Sequence, residues 1–225
     1  MIKISPPQTE AELWNRACDI AHQPLGALAA QVAMSLPDGF KREKGWIGQM
    51  LEQVLGATAK SLPIPDFPQL GIELKTIPLK ADGKPKESTY ISIVPLMSSQ
   101  LLTWRNSDLY HKLQRILWVP YFFNDALSPQ EWRLSQPVLW SPSIEEESIL
   151  KEDWQELMGL VQLGQLDQIN ARLGQYLQIR PKAMNAAIRT QGIGKDGVRV
   201  RTSPLGFYLR TTFTTKIVGD DIHSN

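Results

Sequence analysis

The sequence predicts an α/β protein in which helices flank a mixed central sheet. Three observations carry that expectation. Residues 72–79 alternate apolar and polar as a half-buried strand does; residues 116–122 form a short apolar run of strand length; and two Ser/Thr-x-x-Glu boxes, Thr9 with Glu12 and Ser143 with Glu146, open stretches of helical periodicity. A chain of 225 residues is long enough to bury a substantial core.

Taken in order, Leu13, Ala17 and Ile20 follow the Thr9 box at helical spacing until Pro24 stops the run. An alanine-rich helix is expected from about Leu25 to Met34, ending before Pro37. A third, from about Glu43 to Leu55, turns Ile47, Met50, Leu51, Val54 and Leu55 toward a core and leaves Gly45, Gly48, Gln49, Glu52 and Gly56 on a second face. Glycine inside a helix costs about 1 kcal/mol relative to alanine. Glycines one turn either side of Glu52 therefore point to a close approach to the backbone.

Next comes the stretch Asp66-Phe-Pro-Gln-Leu-Gly-Ile-Glu-Leu-Lys75. On a strand, residues i and i+2 share a face, so Glu73 and Lys75 point one way while Ile72 and Leu74 point to the core. With Asp66 in the preceding turn, two carboxylates and an ammonium converge. Hard oxygen ligands of this kind suit Mg²⁺ held against a phosphodiester, with Glu52 a candidate third carboxylate. Asp-x6-Glu-x-Lys is a loose pattern, and a Glu-x-Lys on a solvated strand face is common.

Beyond Lys75, Asp82-Gly83 signals a turn, and a strand from Thr89 to Val94 is expected to close a hairpin whose loop offers Lys80, Lys84 and Lys86 to phosphates. Ser107 caps a short helix that delivers Lys112 just ahead of the strand Ile116 to Phe122. Another strand is expected over Pro137 to Trp140. The helix opened by Ser143 carries an apolar stripe of Ile149, Leu150, Trp154, Leu157 and Leu160, and its acids between Glu145 and Glu156 form a charged face that DNA would avoid. A shorter helix to about Leu173 and a strand from Tyr176 to Ile179 follow.

The last quarter is locally basic, with Arg180, Lys182, Arg189, Lys195, Arg199, Arg201, Arg210 and Lys216 against Asp196 alone. In a chain of net charge +1, interrupted here by glycines at 192, 194 and 197, this reads as a phosphate-binding loop and ribbon. Other chemistries fit poorly. The lone Cys18 excludes an internal disulfide and a cysteine-rich zinc site, and His22, His111 and His223 form no pair at ligand spacing. No apolar run approaches a membrane span and the N-terminus lacks a signal-peptide core, so a cytoplasmic protein is expected.

Five blocks, Lys-Arg-Glu-Lys-Gly-Trp-Ile-Gly (41–48), Leu-Gly-Ile-Glu-Leu-Lys-Thr-Ile-Pro (70–78), His-Lys-Leu (111–113), Leu-Gln-Ile-Arg-Pro-Lys (177–182) and Leu-Gly-Phe-Tyr-Leu (205–209), resemble the MutH family of methyl-directed mismatch repair endonucleases, in the family's order. The resemblance implies a restriction-endonuclease-like fold in one domain, with a catalytic arm over about 1–122 and a DNA-reading arm over about 123–225 that form a cleft for DNA. It implies a monomeric, Mg²⁺-dependent enzyme that nicks the unmethylated strand at GATC and is activated by MutL, and through it by MutS. Glu52, Asp66, Glu73 and Lys75 would form the active site, completed by Lys112. Arg180, Pro181, Lys182 and Tyr208 would read GATC, and Tyr90 would lie close to DNA. Lys44, in the first block, and Arg189, in the basic quarter, join Lys84 and Lys86 as candidate DNA contacts. The segment Asn185 to Arg201 and the tail after Lys216 depart from the family in detail. The rival readings are a restriction enzyme that cuts both strands and a non-catalytic, methylation-sensitive DNA-binding protein.

Overall fold

The computed structural model describes residues 4–35, 45–60, 62–97, 101–182 and 187–219. The chain divides into two compact units: residues 1–87, 114–141 and 214–225 make the first, and 88–113 and 142–213 the second. The two units are interleaved in sequence.

In the first unit, α1 (Glu10–Asp19) starts at Thr9, whose side chain accepts from the Glu12 N–H at 3.1 Å. The reciprocal bond of the box lands one residue early, with the Glu12 carboxylate accepting from the Gln8 N–H at 2.7 Å. After α2 (Leu25–Gln31) comes α3 (Trp46–Leu55), whose expected first turn at Glu43 and Lys44 lies outside the described residues. Gly56 ends α3 in the left-handed region (φ 82°), a conformation glycine adopts without a Cβ penalty.

The sheet of this unit runs β1 (Glu73–Leu79), β3 (Ile116–Phe122), β4 (Val138–Trp140), with β1 and β3 parallel and β3 and β4 antiparallel. It is the mixed sheet the sequence predicts. The run from Ile116 to Pro120 is buried without alternation, as befits a strand with neighbours on both edges. Leu13, Leu25, Leu28, Met50, Leu51, Phe67, Ile72, Leu74, Leu117 and Val119 join the helices to the sheet in one core. Apolar burial of this kind contributes about 25 cal/mol per Å², and it fixes which face of β1 is left for polar residues.

The second unit holds an antiparallel sheet of β2 (Thr89–Ile93), β8 (Leu205–Leu209) and β5 (Leu177–Pro181), in that order. With it go α4 (Asp108–Leu113), α5 (Ile144–Gln162) and a separate ribbon of β6 (Thr190–Ile193) paired antiparallel with β7 (Arg199–Thr202). Helix α6 spans Thr211–Gly219. Both bonds of the Ser143–Glu146 capping box are present at the start of α5.

Three expectations are corrected. First, β1 and β2 do not form a hairpin: the chain folds back only as far as the Leu79–Pro85 bridge and the Lys86 N–H to Pro78 carbonyl bond at 2.8 Å, and β2 then pairs with β8. Pro78 and Pro85 each lack an N–H, so a longer ladder between these segments would lose rungs. Second, the helix expected up to Leu173 is one 3₁₀ turn, Leu166–Gln168, set between glycines 164 and 174, both in the left-handed region. Third, Asp153 is not part of a solvated acidic face. It is buried, and its two oxygens accept the N–H groups of Gln175, Tyr176 and Leu177 at 2.7–2.8 Å, which anchors the start of β5 to α5.

Candidate active site and DNA-reading face

Successive N–H groups of a strand point to opposite edges, and at the start of β1 this builds the site. The Glu73 N–H donates to the Arg115 carbonyl beside β3 (2.9 Å), so the Leu74 N–H faces the other edge, where it donates to Asp66 Oδ2 at 2.8 Å. Asp66 is held there by a tight turn. Phe67 and Ile72 exchange backbone bonds across Pro68–Gly71, with Gly71 in the left-handed region (φ 66°), and the Asp66 carbonyl accepts from Thr58 and Ala59.

Glu73 and Lys75 share a face, as alternation requires, and Lys75 Nζ lies 2.5 Å from Glu73 Oε1. Their burial removes the solvated-face reading of Glu-x-Lys. Glu73 is 1% exposed and the Lys75 side chain 14%, so this is not a solvated pair. Ion pairs taken out of water are poor stabilisers, because desolvation offsets their attraction, and apolar residues of similar size serve a core at least as well. A buried Glu–Lys pair with a second carboxylate fixed one residue away thus points to chemistry.

Glu52 lies half-buried on α3 in the same unit. A Cβ at Gly45 or Gly48 would meet no described group within 4 Å, whereas at Gly56 the expected close approach is made from within the chain: a Cβ there would stand 2.7 Å from the Ser5 carbonyl oxygen and 3.1 Å from the Arg16 guanidinium, and Gly56 also ends the helix. The described residues contain no group of three or more His, Cys, Asp or Glu side chains arranged to hold a metal ion. The carboxylates brought together are Asp66 and Glu73. Lys112 belongs to the second unit, on α4, whose first turn is capped by Ser107 Oγ accepting from the Tyr110 N–H at 3.1 Å.

Of the candidate DNA contacts, Lys44 lies outside the described residues. Lys84 is exposed in the turn after β1, and the Lys86 ammonium sits 2.9 Å from the centre of the Phe123 ring. Nearby Tyr121 stacks on Trp132; burial, with the Glu87 charge adding to it, pushes its hydroxyl well above the usual range, so it remains protonated.

The other candidates converge in the second unit. Across the β2-β8-β5 sheet, Tyr90 is opposite Tyr208, Tyr208 is opposite Gln178, and Arg180 is opposite Gly206, so all of these side chains project from one face. The two tyrosine rings meet edge-on at 5.5 Å. Lys182 Nζ lies 3.8 Å from the centre of Tyr90, and the Arg180 guanidinium lies 5.7 Å from that of Tyr208 and donates to Ser88 Oγ at 2.7 Å. Pro181 ends β5, exposed, opposite Leu205.

The ribbon sorts its residues by face. Arg199 and Arg201 on β7 lie opposite Ile193 and Gln191 and so share a face, and both are exposed, as is Arg189 just before β6. The other face, with Gly192, is closed: a Cβ there would meet Thr202 at 3.2 Å and Leu166 and Leu96 at 3.5 Å. Arg210, by contrast, is not a free basic group. It donates to the carbonyls of Ala171 and Leu173 at 2.7 and 2.6 Å and pins the loop before β5. Ser88, Gln178 and Gly206 escaped the sequence reading, since strand register alone brings them to this face; the spacing of Gly206, two residues before Tyr208, was the one available signal.

A carboxylate pair and a lysine at the head of a strand in a helix-flanked mixed sheet, together with a basic ribbon, define a DNA endonuclease of the restriction-enzyme type. A family model described as "DNA mismatch repair enzyme MutH" matches residues 55–153. The chain is 50% identical over 212 residues to the DNA mismatch repair protein MutH of Vibrio campbellii, covering 94% of each chain. It is 47% identical over 218 residues to that of Shewanella baltica OS185 (97% of this chain, 98% of the relative) and 46% identical over 215 residues to that of Escherichia coli K12/DH10B (96% and 94%). The chain belongs to the MutH family of DNA mismatch repair enzymes.

Proposed function

We propose that this enzyme nicks the unmethylated strand at hemimethylated or unmethylated GATC sites in methyl-directed mismatch repair, as a cytoplasmic monomer activated by MutL. The observation that carries the catalytic part is the Asp66–Glu73–Lys75 cluster: a carboxylate buried to 1% exposure, paired at 2.5 Å, with a second carboxylate pinned beside it.

Carboxylate oxygens are the donors Mg²⁺ prefers, so Asp66 and Glu73, with Glu52, would hold it, and the chemistry it supplies is activation of a water and relief of charge at the phosphorus. The chain's own residues do the rest. Glu73 holds the Lys75 side chain in place, and Lys75 stabilises negative charge growing on the attacked phosphate. At 4 Å and an effective dielectric of about 20 such a contact contributes on the order of 4 kcal/mol as an upper range. Lys112 adds a second ammonium to the same task. No described residue fills the space beside Gly45 and Gly48, where the α3 backbone would meet a phosphate. Arg180, Pro181, Lys182 and Tyr208 read the base edges; Tyr90, Lys44, Lys84, Lys86 and Arg189 support the duplex.

Supercoiled plasmid carrying GATC sites, incubated with Mg²⁺ with and without MutL, tests the reading. Open circles are expected. Linear product would favour a restriction enzyme, and intact supercoils under both conditions a non-catalytic reader.

A further inference from the structure

Gly206 lies inside β8 with a strand on each side, opposite Ile93 of β2 and Arg180 of β5. Glycine weakens a strand interior, and it is usually found where the backbone needs a left-handed conformation or where something approaches closely. The first reason does not apply, because Gly206 is not among the glycines of positive φ. The second does. A Cβ at this position would stand 2.9 and 3.1 Å from Tyr90 Cε2 and Cδ2 and 3.2 Å from Tyr208 Cε2.

The rings that fill this space are the ones that seat the cations: Lys182 over Tyr90 and Arg180 over Tyr208, the latter also tied to Ser88. A cation over an aromatic face is attracted by the ring quadrupole, which biases the orientation of a long side chain. We infer that Gly206 is a positioning residue for sequence reading: its missing side chain sets the Tyr90–Tyr208 pair and, through the two rings, the heads of Lys182 and Arg180. The inference rests on the proposed reading of GATC by this face.

The test compares wild type, Gly206→Ala, Tyr90→Ala and the double variant by affinity for GATC and non-GATC duplexes, strand-resolved nicking and thermal melting. Gly206→Ala is expected to lower the specific-to-nonspecific affinity ratio about tenfold, the scale of one lost base contact. If the effect runs through the ring, adding Gly206→Ala to Tyr90→Ala changes the ratio less than about twofold, whereas independent effects would multiply. An unchanged ratio in Gly206→Ala, or full multiplication in the double variant, overturns the inference, the latter because the added methyl then obstructs DNA or the sheet itself. Should Gly206→Ala alone fail to fold, recovery of folding in the double variant supports the ring contact and continued failure overturns it. A wild type with no preference for GATC overturns the proposed function and this inference together, while a preference kept by Gly206→Ala overturns the inference alone.

Discussion

Strands β1 and β7 each carry two charged residues at i and i+2, Glu73 and Lys75 on one, Arg199 and Arg201 on the other, and the structure treats them in opposite ways. On β1 Glu73 is buried, Lys75 is largely so, and the two bond to each other; on β7 both arginines are exposed and the opposite face of the ribbon is the one that packs. The same local pattern thus serves two physical purposes. Where the dielectric is low, a charge acts strongly on whatever is placed beside it and small displacements matter. Where the charge is solvated it acts weakly and additively, which suits holding a phosphate backbone.

The largest expected effect breaks the comparison on the β1 side. Asp66→Ala or Glu73→Ala should reduce nicking by a thousandfold or more, roughly the upper range for removal of one preorganised catalytic group, while duplex affinity changes little. Removal of divalent cations by a chelator should do the same to wild type. Lys75→Ala should fold and lose about a hundredfold or more. Near-normal nicking by purified Asp66→Ala or Glu73→Ala protein would place the chemistry elsewhere.

Asp153 sharpens the comparison, because it shows that burial of a carboxylate does not by itself signal catalysis. Its oxygens are committed to three backbone N–H groups, a structural anchor, whereas the Glu73 carboxylate meets a lysine. Asp153→Ala should leave those donors unpaired and destabilise the fold by on the order of 3 kcal/mol. For a chain of this size that corresponds to a melting temperature lower by about 6–12 °C, with nicking by the folded fraction unchanged. An unaltered melting temperature would mean that the three donors find other partners.

How much of this the sequence shows follows from the range of the interactions. The caps at Thr9, Ser107 and Ser143, the alternation of β1 and the apolar run of β3 are local, and each element lies within a few residues of its expected place. Asp66, Glu73 and Lys75 are legible for the same reason: a single turn and one strand bring them together. What escapes is set by distant partners. The pairing of β2 with β8, the carbonyls that hold Arg210, the capture of Asp153 by β5 and the seating of Tyr90 against Gly206 all join residues far apart in the chain. Charge counting, in particular, cannot separate Arg201, which is exposed, from Arg210, which is committed to carbonyls.

A smaller effect is expected on methylation. Adenine offers N6 as a donor in the major groove, and N6-methylation removes one donor hydrogen and adds bulk where a close-fitting reader sits. Tyr208 stands on this face 5.5 Å from Tyr90 and 5.7 Å from the Arg180 guanidinium, centre to centre. Hemimethylated GATC should be nicked only on its unmethylated strand and fully methylated GATC should resist. Tyr208→Ala should cost about 1–3 kcal/mol of this discrimination, more than it costs nonspecific binding. Strand-resolved cleavage of the three duplexes decides: equal nicking of both hemimethylated strands by wild type ends the methyl-directed reading, and full discrimination by Tyr208→Ala ends the role of that residue.

The smallest effects belong to the ribbon, and they test whether its exposed face works as the comparison requires. A solvated arginine against a phosphate contributes mainly by releasing a condensed counterion, so each such contact adds about 0.9 to the negative slope of log K against log salt. Arg199 and Arg201 share one exposed face, Arg189 is exposed just before β6, and Lys195 is exposed at the turn between the strands, 4.0 Å from Asp167. Alanine at any one of them should weaken binding to all sequences alike, leave the GATC preference intact and reduce the slope by about one unit. Arg210→Ala should behave differently, lowering the melting temperature without changing the slope, because its guanidinium already serves two carbonyls. Titrations over a range of salt concentrations separate the two cases. A ribbon variant with an unchanged slope would show that its arginine is merely solvated, and the contrast between β1 and β7 would then be one of burial alone.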